Sequence, residues 1–456
     1  MDERFDVVVI GSGSGGRAVA GRLADAGMDV AMVESELVGG ECPYWACMPS
    51  KTLLRPSEAV ADARRVPGVA AQIDDWDAVL AFRDGVVSGW DDGDKAERYA
   101  ARGVTILRGR GRLSGRGRVD VDGTAVTAER VVVATGSAGV IPPIDGLDAT
   151  DFWTNREAME LRRVPESAAI LGAGPVGVEI GQMLHRYGSR VVIIDEAPRP
   201  LPAEEPEVGD LLARRLRGEG IDLVLGTEVA AIVPDGARSR LRLRGGGERT
   251  VERVVVAVGR RPRTDDLGLE SVGIEAGEAG IPVDDRCRAA DGVWAVGDVT
   301  GIGRFTHVAA YQGRIVCADI LGEEVAADYS AVPRSVFCDP EVAAVGLTAS
   351  GAREAGLDVA VATLPLHEVE RGLTYGRDVE GLVGVVADRR ARVLVGAHAV
   401  GPLAAEWIHL AVLAVRARVQ VDVLCDTIVQ FPTFSEALIS AARELDLGSS
   451  GAGPTR

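Results

Sequence analysis

Two stretches of this chain each join an apolar run to a glycine-rich turn, a helical pattern and a second apolar run that ends in an acid. They read DVVVIGSGSGGRAVAGRLADAGMDVAMVE and AAILGAGPVGVEIGQMLHRYGSRVVIIDE. Apolar runs that alternate with helical patterns predict βαβ units with parallel strands. The residues that define the two units are Gly11, Gly13, Gly16 and Glu34, and then Gly172, Gly174, Gly177 and Asp195.

The spacing within these units predicts that each binds a dinucleotide. In both, the acid lies 23 positions after the first glycine. The glycines let the backbone approach a pyrophosphate at a helix N-terminus, and the acid accepts hydrogen bonds from a ribose. A tight turn without a ligand is the alternative, but a strand before the turn and a helix after it disfavour that interpretation. Two units predict two dinucleotides and electron transfer between them.

Three further segments predict a strand that leads into a glycine turn. They span residues 130–137, 253–270 and 292–300, and they include Gly136, Gly259 and Asp298. Each turn would bring backbone near a nucleotide, and Asp298 would present a carboxylate there. Taken one at a time, each could equally be an ordinary turn.

Length and patterning predict several domains in an α/β protein. The chain has 456 residues, which is enough for two or three domains. From about Val332 the pattern changes to strand-like runs followed by an apolar helical stretch, AEWIHLAVLAVRA, without a phosphate-binding glycine motif. We expect a separate α+β domain there, and the tail at 448–456 is typical of disorder.

Charge and hydrophobicity limit the partners and the location. The net charge of −18 argues against a nucleic-acid or anionic-membrane surface. No basic segment followed by an apolar segment opens the chain, and no apolar run has transmembrane length. The cytoplasm is therefore the expected location.

The cysteines predict redox chemistry at one place. Cys42 and Cys47 lie close together in GGECPYWACMPSK, a spacing that puts both sulfurs on one face of a helical turn, within bonding distance. Half of a metal site is the alternative, but no second cysteine pair or Cys/His cluster completes one. The remaining cysteines are isolated, and we expect them to be buried bystanders: Cys287, Cys317, Cys338 and Cys425.

Taken together, these motifs resemble the pyridine nucleotide-disulfide oxidoreductases, the family of lipoamide dehydrogenase, glutathione reductase and mercuric reductase. They follow the family's order over nearly the whole chain, from the first glycine unit and the cysteine pair to AVGRRP, AVGD and PTFSE. The resemblance implies two Rossmann-like domains, for FAD and NAD(P), and a C-terminal α+β domain that makes a homodimer. The implied boundaries are 1–148 and 263–331 for the FAD domain, 149–262 for the NAD(P) domain and 332–447 for the dimerisation domain.

The resemblance also implies roles for the nucleotide-binding acids. Glu34 would hold the adenosine ribose of FAD, and Asp298 the ribityl side. Asp195 stands where the second ribose-binding acid belongs, and Glu196 follows it with charge of the same sign. Because a carboxylate repels a 2′-phosphate, we expect NADH to be preferred, with NADPH still possible.

At the redox centre the resemblance implies two roles for the thiols and one for an ion pair. Cys42 would be the outer thiol that exchanges with substrate, and Cys47 the inner thiolate against the flavin. Lys51 would pair with Glu179 close to the flavin and the nicotinamide. A thiolate is favoured beside a cation or at a helix N-terminus, which agrees with these roles. A purely structural ion pair is the alternative for Lys51 and Glu179.

One position departs from the family. In its thiol-disulfide members the C-terminal segment reads His-Pro-Thr-x-x-Glu, and the histidine serves the partner subunit's active site as an acid-base group. This chain has Phe431 at the histidine position and retains Glu436. Phenylalanine cannot carry a proton, so we expect exchange with an external disulfide to suffer most. Glu436 would lack its usual partner, or it would be an ordinary carboxylate at a helix start.

Aromatic bulk between the cysteines is a second departure. Tyr44 and Trp45 either border the flavin or the substrate pocket, or pack in the core. Both departures favour a small-molecule substrate that is not a disulfide: a quinone, an aromatic or imine-type metabolite, or a small electrophile. Alternatives are a lipoamide-dehydrogenase-like enzyme in which another residue replaces the histidine, and a soluble transhydrogenase. A non-enzymatic flavoprotein subunit is disfavoured by the intact motifs.

Overall fold

The computed structural model describes residues 3–376 and 379–448. All of the predicted disordered tail except Gly448 lies outside the described residues. None of the helices in these two ranges is long and apolar enough to cross a membrane.

The first stretch of the chain builds a parallel sheet around β1 (Glu3–Ile10). β1 pairs in parallel with β2 (Val30–Glu34) on one side and with β6 (Thr124–Val133) on the other. The last four residues of β1 are buried, as expected for a valine-rich strand covered on both faces. The other elements of this stretch are α1 (Ser14–Asp25), α2 (Glu41–Trp45), α3 (Cys47–Arg65), α4 (Trp76–Val86), α5 (Gly93–Ala100), β3 (Val104–Arg108), β4 (Gly111–Gly115), β5 (Arg118–Val121) and β7 (Ser137–Gly139).

A second parallel sheet repeats this arrangement. Its central strand β9 (Ser167–Leu171) is wholly buried and lies between β10 (Arg190–Asp195) and β15 (Arg253–Val256). An antiparallel three-stranded sheet, β12 to β14, precedes β15. The other elements are β8 (Phe152–Trp153), α6 (Asn155–Met159), α7 (Pro175–Arg186), α8 (Pro206–Glu219), β11 (Asp222–Leu225), β12 (Val229–Asp235), β13 (Arg238–Leu243), β14 (Glu248–Val251) and β16 (Arg260–Pro262).

The chain then returns to the first sheet. β17 (Arg288–Ala290) and β18 (Val293–Ala295) extend it, so that the strand order is β17-β18-β6-β1-β2-β3. α9 (Thr306–Ile320) packs closely on α1, because a Cβ at Gly313 would lie 2.9 Å from the Cβ of Ala18. Two separated stretches of sequence therefore share one sheet, while the boundaries at 148, 262 and 331 stay predictions.

An antiparallel sheet with helices on it forms the C-terminal part. The elements are β19 (Pro333–Val336), β20 (Glu341–Gly346), α10 (Ala349–Glu354), β21 (Val359–Pro365), α11 (Glu370–Leu373), β22 (Leu382–Asp388), β23 (Val393–Gly401), α12 (Ala404–Trp407), α13 (His409–Arg416), α14 (Val421–Asp426) and α15 (Phe434–Arg443). The strand order of the sheet is β19-β20-β23-β22-β21. The apolar stretch predicted as helical is divided at Ile408 into two helices, α12 and α13. The predicted fold class, α/β with a C-terminal α+β domain, is confirmed.

Candidate active site

The first and third glycines of both units are required by close packing. Gly11 and Gly172 have φ values of 103° and 106°, which favour glycine. A Cβ at Gly16 would lie 2.0 Å from the carbonyl oxygen of Gly11, and one at Gly177 would lie 1.9 Å from that of Gly172. Each turn therefore brings its strand and helix together at a distance that only glycine allows.

The second glycine of each unit faces open space instead. A Cβ at Gly13 or Gly174 would meet no atom within 4 Å. These residues precede the first turns of α1 and α7, and no side chain caps either helix. The free N–H groups and the positive end of the helix dipole suit a phosphate. Both loops therefore have the room and the donors that a dinucleotide's pyrophosphate needs.

The acids that end the second strands are held in equivalent positions. Glu34 accepts a hydrogen bond from the amide of Ser12 (3.0 Å), and Asp195 accepts one from the amide of Ala173 (2.5 Å). Each also accepts the amide two positions further along, at 2.8 and 2.7 Å. Both carboxylates are therefore fixed beside a glycine turn, where a ribose would lie.

The three other glycine turns meet around one serine. Asp298 accepts a hydrogen bond from the hydroxyl of Ser137 (2.5 Å), and Arg260 donates to the same hydroxyl (2.8 Å). Gly136 and Gly259 have φ values of 74° and 142°, and a Cβ at either would meet nothing within 4 Å. The backbone turns thus surround Asp298 without filling the space beside them.

The two cysteines of the redox motif lie on different helices. Cys42 belongs to α2, whereas Cys47 is the first residue of α3, and the chain breaks between them at Ala46 (φ −133°, ψ −103°). The prediction that one helical turn carries both sulfurs is therefore wrong. Both thiols are half-buried and free, and the Cys47 sulfur lies 3.4 Å from the hydroxyl oxygen of Thr306.

The surroundings favour a thiolate on Cys47. The hydrogen bond from Cys42 is the largest influence on the pKa of Cys47, and Thr306 and the cation of Lys51 act in the same direction. Burial and the Glu179 carboxylate oppose them, and the pKa is lowered to about 6. For Cys42, the hydrogen bond to Cys47 is the largest influence and raises its pKa. Burial and the negative charge on Cys47 raise the pKa of Cys42 further. Near neutral pH the pair therefore carries one proton, on Cys42.

The predicted partners Lys51 and Glu179 are joined in the structure. The Lys51 ammonium donates to both carboxylate oxygens, at 3.1 and 2.8 Å. The Glu179 side chain is only 9% exposed, and it also accepts the backbone N–H of Phe337 (2.9 Å). The ammonium lies 4.7 Å from the centre of the Phe337 ring. Phe337 therefore contacts both members of the ion pair, through its amide and its ring.

Both aromatic residues of the redox motif are buried. Tyr44 donates its hydroxyl to the carbonyl of Val38 (3.2 Å), and Trp45 donates its indole N–H to Glu160 (2.7 Å). The guanidinium of Arg156, from α6, lies 4.2 Å from the Trp45 ring centre. These contacts support core packing for both side chains.

The C-terminal segment is largely exposed by comparison. The Phe431 side chain is 65% exposed. Thr433 caps α15 by accepting the amide of Glu436 (3.3 Å), while one carboxylate oxygen of Glu436 is buried without a hydrogen-bond partner among the described residues. Among the described residues, no hydrogen bond links Phe431 or Glu436 to Cys42 or Cys47 of the same chain.

Of the isolated cysteines, Cys287, Cys317 and Cys338 are buried, but Cys425 is half-buried, so the prediction is wrong there. Within the described ranges, no cluster of three or more His, Cys, Asp or Glu residues is placed to hold a metal ion. Sequence reasoning missed Thr306 and Phe337. Thr306 stands at the start of α9, a few residues after the AVGD motif, and Phe337 carried no distinguishing pattern.

Comparison with known proteins identifies the class. The family model described as pyridine nucleotide-disulphide oxidoreductase matches residues 5–313, and the family's dimerisation domain matches residues 332–442. The chain belongs to this family. It is a flavin-dependent NAD(P)H oxidoreductase that uses FAD, and its dimerisation domain supports a homodimer.

Several relatives resemble the chain over almost all of its length. A dihydrolipoyl dehydrogenase of Thermus scotoductus is 37% identical over 453 residues, with 97% of each chain covered. A mercuric reductase of Streptomyces lividans is 37% identical over 459 residues, with 96% of each covered. Among solved structures, the Cu(II) complex of the HOCl-induced flavoprotein disulfide reductase RclA from Escherichia coli has a TM-score of 0.85 at 28% identity, covering 97% of this chain and 99% of that one. LpdA from Mycobacterium tuberculosis has a TM-score of 0.86 at 27% identity, with the same coverage.

Proposed function

We propose that this protein passes electrons between NAD(P)H and a small substrate through FAD and the Cys42–Cys47 dithiol. The observation that carries the proposal is the position of the Cys47 sulfur, 3.4 Å from the Thr306 hydroxyl, together with the Lys51–Glu179 pair, whose cation favours the thiolate. When bound, FAD supplies two-electron exchange between a hydride donor and a dithiol.

Within this proposal the chain's own residues hold charge and protons. Cys47 is the inner thiol that carries negative charge, and Lys51 compensates that charge. Cys42 keeps its proton near neutral pH and is the outer thiol that meets the substrate. Glu179, held by Lys51 and by the Phe337 amide, fixes the ammonium in place.

The nucleotide sites follow from the two glycine units. We assign the Gly11–Gly13–Gly16 loop and Glu34 to FAD, together with Gly136, Gly259 and Asp298. We assign the Gly172–Gly174–Gly177 loop and Asp195 to the nicotinamide nucleotide. Because Asp195 places a carboxylate at the end of β10, a 2′-phosphate there would be repelled, which supports a preference for NADH.

The domain assignment and the location stay proposals as well. Residues 1–148 and 263–331 form the FAD domain, residues 149–262 the NAD(P) domain and residues 332–447 the dimerisation domain. The cytoplasmic location predicted from the sequence is part of the same proposal.

The substrate is a molecule other than a disulfide. Phe431 supplies an apolar, exposed side chain where the family's thiol-disulfide members carry their acid-base histidine. An apolar wall suits a quinone, an aromatic or imine-type metabolite, or a small electrophile. The dithiol would then lack the proton transfer that speeds exchange with an external disulfide.

A dihydrolipoamide-dehydrogenase-like activity is the second candidate. It is supported by the retained cysteine pair, by the 37% identity to a dihydrolipoyl dehydrogenase, and by the position of His307. This histidine follows Thr306 in the chain, and its Nε2 donates to the carbonyl of Pro333 (3.0 Å), which leaves Nδ1 able to accept a proton. A soluble transhydrogenase activity is a third candidate, supported by the aromatic residues at Trp45 and Phe431.

One experiment separates these candidates. Wild type, Cys42→Ser and Cys47→Ser are assayed with NADH and with NADPH against a quinone, lipoamide, glutathione disulfide and an NADP⁺ analogue, with Cys425→Ser as the matched control. We expect NADH-driven quinone reduction that both active-site variants lose, and slow disulfide reduction. Vigorous lipoamide reduction by the wild type supports the dihydrolipoamide-dehydrogenase-like activity. Hydride exchange between NADH and the NADP⁺ analogue, with no other acceptor added, supports the transhydrogenase activity. Quinone rates unchanged in both variants would show that the dithiol is dispensable.

A further inference from the structure

A short segment of the C-terminal domain, residues 337–339, lies along one face of α7. Its contacts involve α7 residues at positions i, i+3 and i+7, which share a face of a helix. The Phe337 amide donates to Glu179 (2.9 Å). The Asp339 amide donates to the side-chain oxygen of Gln182 (2.7 Å), whose NH₂ group donates back to the Asp339 carbonyl (2.8 Å). The Asp339 carboxylate accepts a bond from Arg186 (2.7 Å).

Gln182 is the anchor of this segment. Its side chain is fully buried, and both halves of its amide bond to the main chain of Asp339. Removing the amide would leave the part-buried N–H and carbonyl of Asp339 without these partners, which destabilises the segment. The main-chain hydrogen bonds of Asp339 to α7 therefore depend on this one side chain.

Asp339 ties the segment to a second helix. Its carboxylate also accepts a bond from Arg65, at the end of α3 (2.7 Å). Both arginines lower the pKa of Asp339 although burial opposes them, so the carboxylate is charged near neutral pH. α3 carries Lys51 and α7 carries Glu179. The segment thus bridges the two helices that present the ion pair to Cys47.

We propose that Gln182 and Asp339 are positioning residues of the redox centre. They hold residues 337–339 so that the amide and the ring of Phe337 fix Glu179 and Lys51 beside Cys47. The inference rests on the proposed role of Cys47 as the charged thiol. It gives the dimerisation domain a direct part in the redox centre of its own chain.

The test reads the ionisation of Cys47 without requiring turnover. Gln182→Met and Asp339→Asn are made in a Cys42→Ser background, in which the introduced serine keeps a hydroxyl donor beside Cys47. The reduced FAD-loaded protein is treated with iodoacetamide across pH 4 to 9, and alkylation of Cys47 is followed by mass spectrometry. Both variants should raise the apparent pKa by about one unit. At the parent's half-titration pH this is roughly a fivefold loss of alkylation rate.

Glu204→Gln is the matched control. Arg334 lies on β19, just before the segment, and forms two hydrogen bonds with Glu204, both of 2.9 Å. This variant loosens β19, the strand that leads into the segment, without removing a contact to α7, so its alkylation profile should match that of the parent. Thermal unfolding of each variant reports any general loss of stability.

The proposal is overturned if Gln182→Met and Asp339→Asn titrate like the parent, or if Glu204→Gln shifts the profile as much as they do. If Gln182→Met does not fold, Asp339→Asn decides, because it keeps the size and the main-chain bonds of residue 339. Failure of the proposed function would appear separately, as a lack of NADH-driven turnover in the wild type while the alkylation profiles of the variants still differ from that of the parent.

Discussion

The redox motif, residues 39–51, and the C-terminal segment, residues 428–436, differ in how many of their side chains find contacts within one chain. In residues 39–51, the Cys47 sulfur contacts Thr306, Trp45 bonds to Glu160 and Lys51 bonds to Glu179. Residues 428–436 show the opposite. Ile428 and Phe431 are 98% and 65% exposed there, and a buried oxygen of Glu436 has no partner among the described residues.

This difference indicates which part of the site needs a second surface. The thiol pair and its ion pair are assembled within one chain, so their charge can be set before any partner binds. Neighbouring exposed apolar side chains are typical of an interaction surface. Because this segment lies in the family's dimerisation domain, the partner subunit is the surface that would cover it. If this view is right, changes in the redox motif act within one chain, whereas changes in the C-terminal segment act through the partner subunit.

The largest effect is expected from Phe431→His, which would place an imidazole in the C-terminal segment. Imidazole ionises near neutral pH, and a positioned acid-base group contributes on the order of 10²–10⁴-fold. We expect NADH-dependent lipoamide reduction to rise on the order of 10²-fold, measured by NADH oxidation with purified enzyme.

Phe431→Leu is the control for this gain, because it changes the shape of the side chain without adding a proton carrier. An equal gain in both variants would attribute the effect to pocket size. No gain in Phe431→His would mean that residue 431 does not meet the outer thiol, and the contrast between the two regions would lose its functional meaning.

The features that could be predicted from the sequence are those set by local sterics. The glycines at positions 11 and 16 predict a close approach of strand and helix, because any Cβ there would collide with backbone. The acid at the end of the next strand follows from the same unit. Family membership and fold class follow from the order of such motifs, each of which is local.

The contacts that complete the site join segments that are distant in sequence, and no local sequence pattern predicts them. Cys47 and Thr306 are 259 positions apart, and Glu179 and Phe337 are 158 apart. Only the family resemblance predicts the Lys51–Glu179 pair, whose members are 128 positions apart. The break at Ala46 is not predictable from the spacing of Cys42 and Cys47, because that spacing fits one helix as well as two.

Lys51→Met should have an intermediate effect and would sharpen the view that the redox motif is complete within one chain. The ammonium lowers the pKa of Cys47, whereas Glu179 raises it, so removing the cation should raise that pKa from about 6 towards its ordinary value. Below the new pKa the thiolate is lost, and a rise of one unit would lower alkylation at pH 6 about fivefold. Iodoacetamide rates across pH give the result.

Lys95→Met is the matched control, since Lys95 is the only other lysine of the chain and also lies over an aromatic ring, that of Tyr44 (4.4 Å). Its alkylation profile should equal that of the wild type. A Lys51→Met profile that equals it too would mean that the low pKa of Cys47 comes from Cys42 and Thr306 alone.

The smallest effect is expected from Glu436→Gln. The glutamine keeps the backbone N–H that bonds to Thr433, and the oxygen that it alters has no partner among the described residues. Loss of a charge near a helix N-terminus costs about 0.3–1 kcal/mol, and the lower cost of burying a neutral amide than a carboxylate opposes it. The free energy of unfolding measured in urea should therefore change by less than about 0.5 kcal/mol, whereas loss of the cap in Thr433→Ala should cost about 1 kcal/mol.

Quinone turnover by Glu436→Gln should change less than about twofold, well below the range of a positioned acid-base group. A fall of tenfold or more in Glu436→Gln alone would make this carboxylate a working part of the assembled site, and the C-terminal segment would then equal the redox motif in importance.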